Sequence, residues 1–280
     1  MWSLGGLSAT ELLKRTIRES WHDDVFGQAA RLAFYHFLAI FPVLLLVLIP
    51  LARLPGAGAD MRQLLAGSLD QFLPADAASL IAAAIQDLNS NAHQGGGVLI
   101  LAAAGAIWAG FNASLAIIAG LNMAYEAKED RSFLTIARRA GCLALAVVGS
   151  IMAALFVTHY LGRPLAGGAR LGLLPRIAQW AAIVGILMLS FGLFYRFGPN
   201  LKNSRWQWST PGAVFGVMLW VVSTLVLQEY FDHFASHHRI YGRLAATAAL
   251  MVWLYMTSAT VLIGAELNSE IEKAGQKERR

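Results

Sequence analysis

Few residues in this chain combine a reactive side chain with a telling position. Glu266 and Asn268 stand out in LIGAELN, where a carboxylate and a carboxamide follow a long apolar run. From Leu244 to Ile263 there are 20 uncharged residues, enough for a helix to cross about 30 Å. Glu266 therefore falls at the inner interface. It can end the span by pairing with an inner-loop Arg or Lys, or it can close the mouth of a cavity. Asn112 and Asn122 lie on one helical face with Trp108 and Ala119, within an arc of about 80° at 100° per residue. Amides in hydrocarbon face protein or water, because an unpaired polar group there costs a few kcal/mol, of order 2–7. They either bond a neighbouring helix or line a polar cavity.

Other reactive types carry less. His36 sits among aromatics two turns before Pro42, where a packed imidazole competes with a proton carrier. Pro42 removes one hydrogen bond and kinks its helix. His237 and His238 are adjacent in a loop with no third ligand nearby. Glu126, Glu129 and Asp130 lie among basic residues and read as a solvated loop. There is no metal-spaced Cys/His pair, no phosphate loop and no nucleophile elbow, so no catalytic residue, metal centre or cofactor is expected. The lone Cys142 excludes an intrachain disulfide.

The elements that position these residues are apolar helices. The 280 residues are 57% hydrophobic and 14% charged, with mean hydropathy +0.54. Soluble chains are nearer a quarter charged. The expected fold is all-α, a polytopic membrane helix bundle. Six transmembrane helices are placed at about 32–51, 97–122, 140–162, 177–197, 210–231 and 244–265. These belong to a single transmembrane domain over 1–270, followed by a charged cytoplasmic tail over 271–280. The segment 52–94 holds two shorter helical patterns, MRQLLAGSLDQFL and DAASLIAAAIQDL, expected as extracytoplasmic helices. Before the first span, Leu4, Leu7, Leu12, Leu13 and Ile17 recur at helical spacing among charges. That describes an amphipathic helix on the membrane surface or an ordinary packed helix.

Charge sets the orientation. Of 22 Lys and Arg, 15 fall on the side of the two termini and 7 on the other. The positive-inside rule puts both termini in the cytoplasm. The net charge of +5 is thus accounted for without a nucleic-acid partner. Gly212 and Gly216 form a GxxxG expected to pack within the chain rather than between chains, though a homo-oligomer stays open. Glu229 and Asp232, near Arg239 and Arg243, read as an ion-paired outer cap.

Three stretches carry a family resemblance. They are RLAFYHFLAIFPVLLL, which approximates ALAYYTLLSLFPLL, the LNMAY that closes the second span, and RFGPNLKNSRWQWSTPGAVFGVMLW through IYGRLAATAAL to GAELN. Together they resemble the YihY/BrkB family of bacterial inner-membrane proteins over about residues 28–270. His36 departs from the family pattern, where Thr or a small residue is common. The resemblance implies six spans in the bacterial inner membrane. Residue by residue it points to Pro42, Asn122, Pro199, Asn200, Tyr241, Gly242, Gly264, Glu266 and Asn268. The family has been labelled ribonuclease BN and linked to serum resistance and to transport. The expected function is transport or translocation of a lipid or small solute through a polar cavity among spans one, two, five and six. Glu266 and Asn268 would close its inner end and Asn112 and Asn122 would form its wall. The partners are then membrane lipids and that substrate. The alternative is a structural or assembly protein without transport. Ribonuclease activity is not expected, for want of a catalytic cluster.

Overall fold

The computed structural model describes residues 6–52, 78–79, 83, 96–166, 174–201, 210–234 and 243–277. Seven helices are built from them: α1 (Ala9–His22), α2 (Val25–Ala52), α3 (Gly96–Ala124), α4 (Phe133–Ala166), α5 (Leu174–Phe197), α6 (Pro211–Phe234) and α7 (Arg243–Lys277). There is no strand among the described residues. The protein is an all-α polytopic membrane bundle. Five helices, α3 to α7, contain stretches long and apolar enough to cross a bilayer. The first expected span lies within the 28-residue α2. The side chains of its second half, Pro42 included, lie outside the described residues, as do Tyr241 and Gly242 and nearly all of 52–94.

Local sequence explains the boundaries. Ser8 caps α1 by accepting from the Glu11 backbone N–H at 3.2 Å, and Ser8 and Glu11 have the spacing of a capping box. α1 and α2 meet at a two-residue corner, where Asp24 takes a left-handed φ of 47°. Its Oδ1 accepts from the Gly27 N–H at 3.3 Å and so caps α2. Thr210 accepts from the Ala213 N–H at 3.1 Å, with Pro211 at the first helical position, where its missing N–H costs nothing.

Helix association in lipid lacks a hydrophobic drive and depends on close packing and interhelical hydrogen bonds. Both are present. α2 packs on α3 and α7, α6 on α7, and the α4–α5 pair flanks α3 and α6. A Cβ on Gly212 would overlap the Gly264 carbonyl oxygen, and one on Gly264 would lie 2.6 Å from the Gly212 oxygen. The α6 and α7 backbones therefore touch, and the Gly212/Gly216 face is used within the chain. Ser190 donates to Ser150 at 2.7 Å across α5 and α4, and Trp220 Nε1 to Thr257 Oγ1 at 3.1 Å across α6 and α7. Large apolar side chains such as Ile107, Trp108, Leu145, Phe156, Val226 and Leu244 face outward, as a lipid-facing surface requires.

α7 differs most from the sequence expectation. It has 35 residues, about 52 Å at 1.5 Å per residue, well beyond a bilayer core. Its last third continues as helix to Lys277 and packs against α1. Ala274 and Glu270 are buried there, so most of the charged segment after Asn268 is docked helix. α1 uses Leu12, Thr16 and Ser20 as its buried face. It leaves Leu13, Ile17 and Trp21 exposed one position further round, so it is packed on one side and apolar on another.

Candidate functional site: the end of the bundle that carries both chain termini

Contacts between distant segments gather α1, the 125–132 loop, residues 197–200, Thr210 and the end of α7 at one end of the bundle. Three clusters of side chains meet there.

The first is a densely bonded network, in which one terminal guanidinium nitrogen of Arg131 is the buried atom left without a partner. Asn122, buried in the last turn of α3, donates to Glu129 Oε2 at 2.7 Å and accepts from the Asn200 backbone N–H at 2.7 Å. Glu129 also accepts from Arg131 Nε at 2.6 Å and from its second guanidinium nitrogen. The same guanidinium reaches the Gly198 carbonyl at 3.1 Å. Asn200 Nδ2 donates to the Lys128 carbonyl at 2.8 Å and to Asp130. This arrangement ties α3, the loop and the end of α5 into one unit. Arg131 is 7% exposed. Its guanidinium, with the Asn122 amide, holds the Glu129 carboxyl down to about 2. The sequence reading took this loop as solvated. Arg131 and Glu129 were missed, although a Glu-x-Arg step in a short loop between two spans is a legible signal. Pro199 is buried beside Gly198, where a Cβ on Gly198 would strike Leu121.

The second cluster holds α6 to α7. Asn268 accepts from the Gly212 N–H at 2.8 Å and donates to Thr210 Oγ1 at 2.9 Å. The Tyr125 phenol also hydrogen-bonds it. Two helix-start donors or acceptors of α6 are thus met by one amide. Tyr195, which sequence reasoning did not single out, donates to the Val261 carbonyl at 2.8 Å beside Gly264.

The third cluster is unsaturated. Glu266 is 0% exposed, and neither carboxylate oxygen has a hydrogen-bond partner. Its charged neighbours are Asp23, Lys273, Glu19 and Glu270. Lys273 is already bonded to Glu126 at 2.8 Å and to Glu270 at 3.0 Å. Among the described residues Glu266 therefore makes no ion pair with a loop Arg or Lys, which was one of the two expected roles. The span-length count put it at an interface. α1 and the start of α2 cover that interface.

The expected alignment of amides takes a different form. Asn112 is half-buried and donates to the Trp108 carbonyl of its own helix at 2.7 Å. Trp108 is 59% exposed, so the Trp108–Ala119 face of α3 points outward along much of its length. An open groove of about 670 Å³ runs along α3. It is lined by Leu115, Ile118 and Met123, by Ile136 of α4, and at its inner end by Asp23, Asn122, Glu126, Lys128 and Glu129. Asn112, Glu266 and Asn268 do not line it.

A bundle of long apolar helices of this kind is an integral membrane protein. The chain belongs to the Virulence factor BrkB family, whose profile matches residues 16–280. It is 29% identical over 254 residues to the "Putative ribonuclease-like protein YfkH" of Bacillus subtilis, covering 88% of this chain and 90% of that one. It is also 29% identical over 266 residues to a "UPF0761 membrane protein" of Tolumonas auensis, covering 91% and 83%. No solved structure matches.

Proposed function

We propose that this protein moves an amphiphile, a lipid or lipid-like solute, between the leaflets or across the bacterial inner membrane, with both termini in the cytoplasm. One observation carries the reading: the groove along α3 is graded. Its walls are apolar at Leu115, Ile118 and Ile136 and become polar and charged at Asn122, Lys128 and Glu129. Such a cleft matches a molecule with an apolar body and a polar end. The hydrogen-bonded network at its polar end supplies a floor. Its carboxylates Glu126 and Glu129 are engaged by Lys273 and by Arg131 and Asn122, which supports the non-enzymatic reading over ribonuclease chemistry.

The test is reconstitution into proteoliposomes that carry a fluorescent-headgroup phospholipid, with a membrane-impermeant quencher outside. The wild type is expected to expose the inner-leaflet probe to the quencher far faster than empty vesicles. Ala119→Trp, which fills the groove from an exposed position, is expected to slow it strongly. Quenching no faster than in empty vesicles, with no lipid retained in the groove of the purified protein by mass spectrometry, contradicts the reading.

A further inference from the structure

The corner between α1 and α2 gathers more negative oxygen than it satisfies. Glu19, His22 and Asp23 stand at i, i+3 and i+4 in the last turn of α1, so their side chains share a face. One ligand atom from each lies within 4.8 Å of the others, so a small rotamer adjustment brings them within the roughly 4.4 Å that an ion with ligands at about 2.0–2.2 Å spans. The contacts already present are few. His22 Nδ1 meets Asp23 Oδ1 at 2.9 Å, and Arg18 donates to Glu19 Oε1 at 3.1 and 3.2 Å. Asp23 Oδ2 is buried and has no partner, and nor has Ser20 Oγ on the neighbouring buried face.

Behind the corner stands Glu266 on α7. It is wholly buried, both of its oxygens are unpartnered, and Asp23 and Glu19 are among its charged neighbours. Lys273, the one nearby cation on α7, is held by Glu126 and Glu270. A carboxyl group buried with neither oxygen bonded, in the field of further carboxylates, is expensive to keep. The carbonyl end of α1 adds partial negative charge at the same place.

We propose that Glu19, His22 and Asp23, backed by Glu266, form a binding site for a divalent cation of the Mn²⁺ or Zn²⁺ type. Two carboxylates with one imidazole suit these ions better than Mg²⁺ or Ca²⁺, which take oxygen alone. Glu266 acts from behind, offering its charge to the site. An ion here would clasp the end of α1 to the inner end of α7. It would thereby fix the cover over the only stretch of α7 where a carboxylate is buried unpartnered among the described residues. The site does not depend on lipid movement, and its test reads ion binding alone, so either proposal can fail without the other.

The experiment uses full-length protein in detergent micelles, stripped with EDTA and titrated with Mn²⁺ and with Zn²⁺. Free Mn²⁺ is followed by electron paramagnetic resonance and Zn²⁺ by calorimetry. The expected result is saturable binding of one ion per chain for at least one of the two. His22→Ala, at a side chain 79% exposed and so harmless to the fold, should weaken binding about tenfold or more. Glu266→Gln should weaken it by a smaller factor through loss of charge. Thr10→Ala, at the other end of α1, should leave it unchanged. No saturable binding of either ion, or equal affinity in His22→Ala and wild type, overturns the proposal.

Discussion

Two groups of polar side chains lie at the same end of this bundle and are satisfied to very different degrees. In the Asn122–Glu129–Arg131–Asn200 network the carboxylate, both amides and two of the three guanidinium nitrogens are bonded to one another or to backbone, and one Arg131 nitrogen has no partner. At the α1–α2–α7 corner, Glu266, Asp23 Oδ2 and Ser20 Oγ are buried with no partner. The first arrangement is what a fold needs when polar groups must be covered. The second makes no sense as packing, because an apolar residue at 266 would pack there without the cost of burying a carboxylate. The difference separates residues that hold the structure from a residue kept for something else. The two groups should therefore respond to mutation with opposite signs.

The largest effect belongs to the α6–α7 contact beside these groups. Gly212→Val places a side chain into the Gly264 backbone and against Asn268. It is expected to cost more than about 3 kcal/mol and to yield no monodisperse protein on size exclusion. Recovery of a well-behaved, wild-type-like peak would show that α6 and α7 can separate freely. Next comes Arg131→Ala, which strips Glu129 and the Gly198 carbonyl of their donor. Glu129 is only partly covered, so a loss of about 2 kcal/mol is expected, seen as a melting temperature lower by several degrees. An unchanged melting temperature would make the network decorative.

A smaller effect sharpens the same contrast by pH. The Glu129 carboxyl titrates near 2 in the fold against an ordinary value of 4.5. Its pairing thus stabilises the protein fully above about 4.5. The contribution is lost as pH falls from there towards about 2. Solvent screening of this partly exposed group limits it to under about 1 kcal/mol. The melting-temperature gap between wild type and Glu129→Gln should shrink from pH 7 to pH 3. A gap that widens on acidification contradicts the assignment.

Much of this was legible in the sequence, for identifiable reasons. Apolar length placed the helices α3 to α7, since a bilayer core admits little else. The Lys and Arg bias grouped the termini with the 125–132 loop and the segment after Phe197, and the contacts Lys273–Glu126 and Arg131–Gly198 bring these together. The glycines at 212 and 216 announced a close helix contact. What the sequence did not show was tertiary cover. Glu266 looked interfacial because the count of uncharged residues from Leu244 says where α7 leaves the hydrocarbon. The count says nothing of what lies over it afterwards. α1 and the start of α2 do, and their register on α7 is not written in α7. The Glu129–Arg131 pair was obscured for a related reason: a short charged loop looks solvated until a second loop closes on it. The Glu19, His22 and Asp23 spacing was readable, but it drew no notice because the carboxylate backing it lies some 240 residues away.

The central claim is that Glu266 is retained at a cost to stability. The most direct test is the melting temperature of Glu266→Gln, measured in detergent after EDTA treatment beside wild type. Replacing an unpartnered buried carboxyl by an amide of the same shape should leave the melting temperature equal or raise it. A fall of several degrees, like that expected for Arg131→Ala, would mean that Glu266 belongs to a satisfied structural network, and would contradict the account.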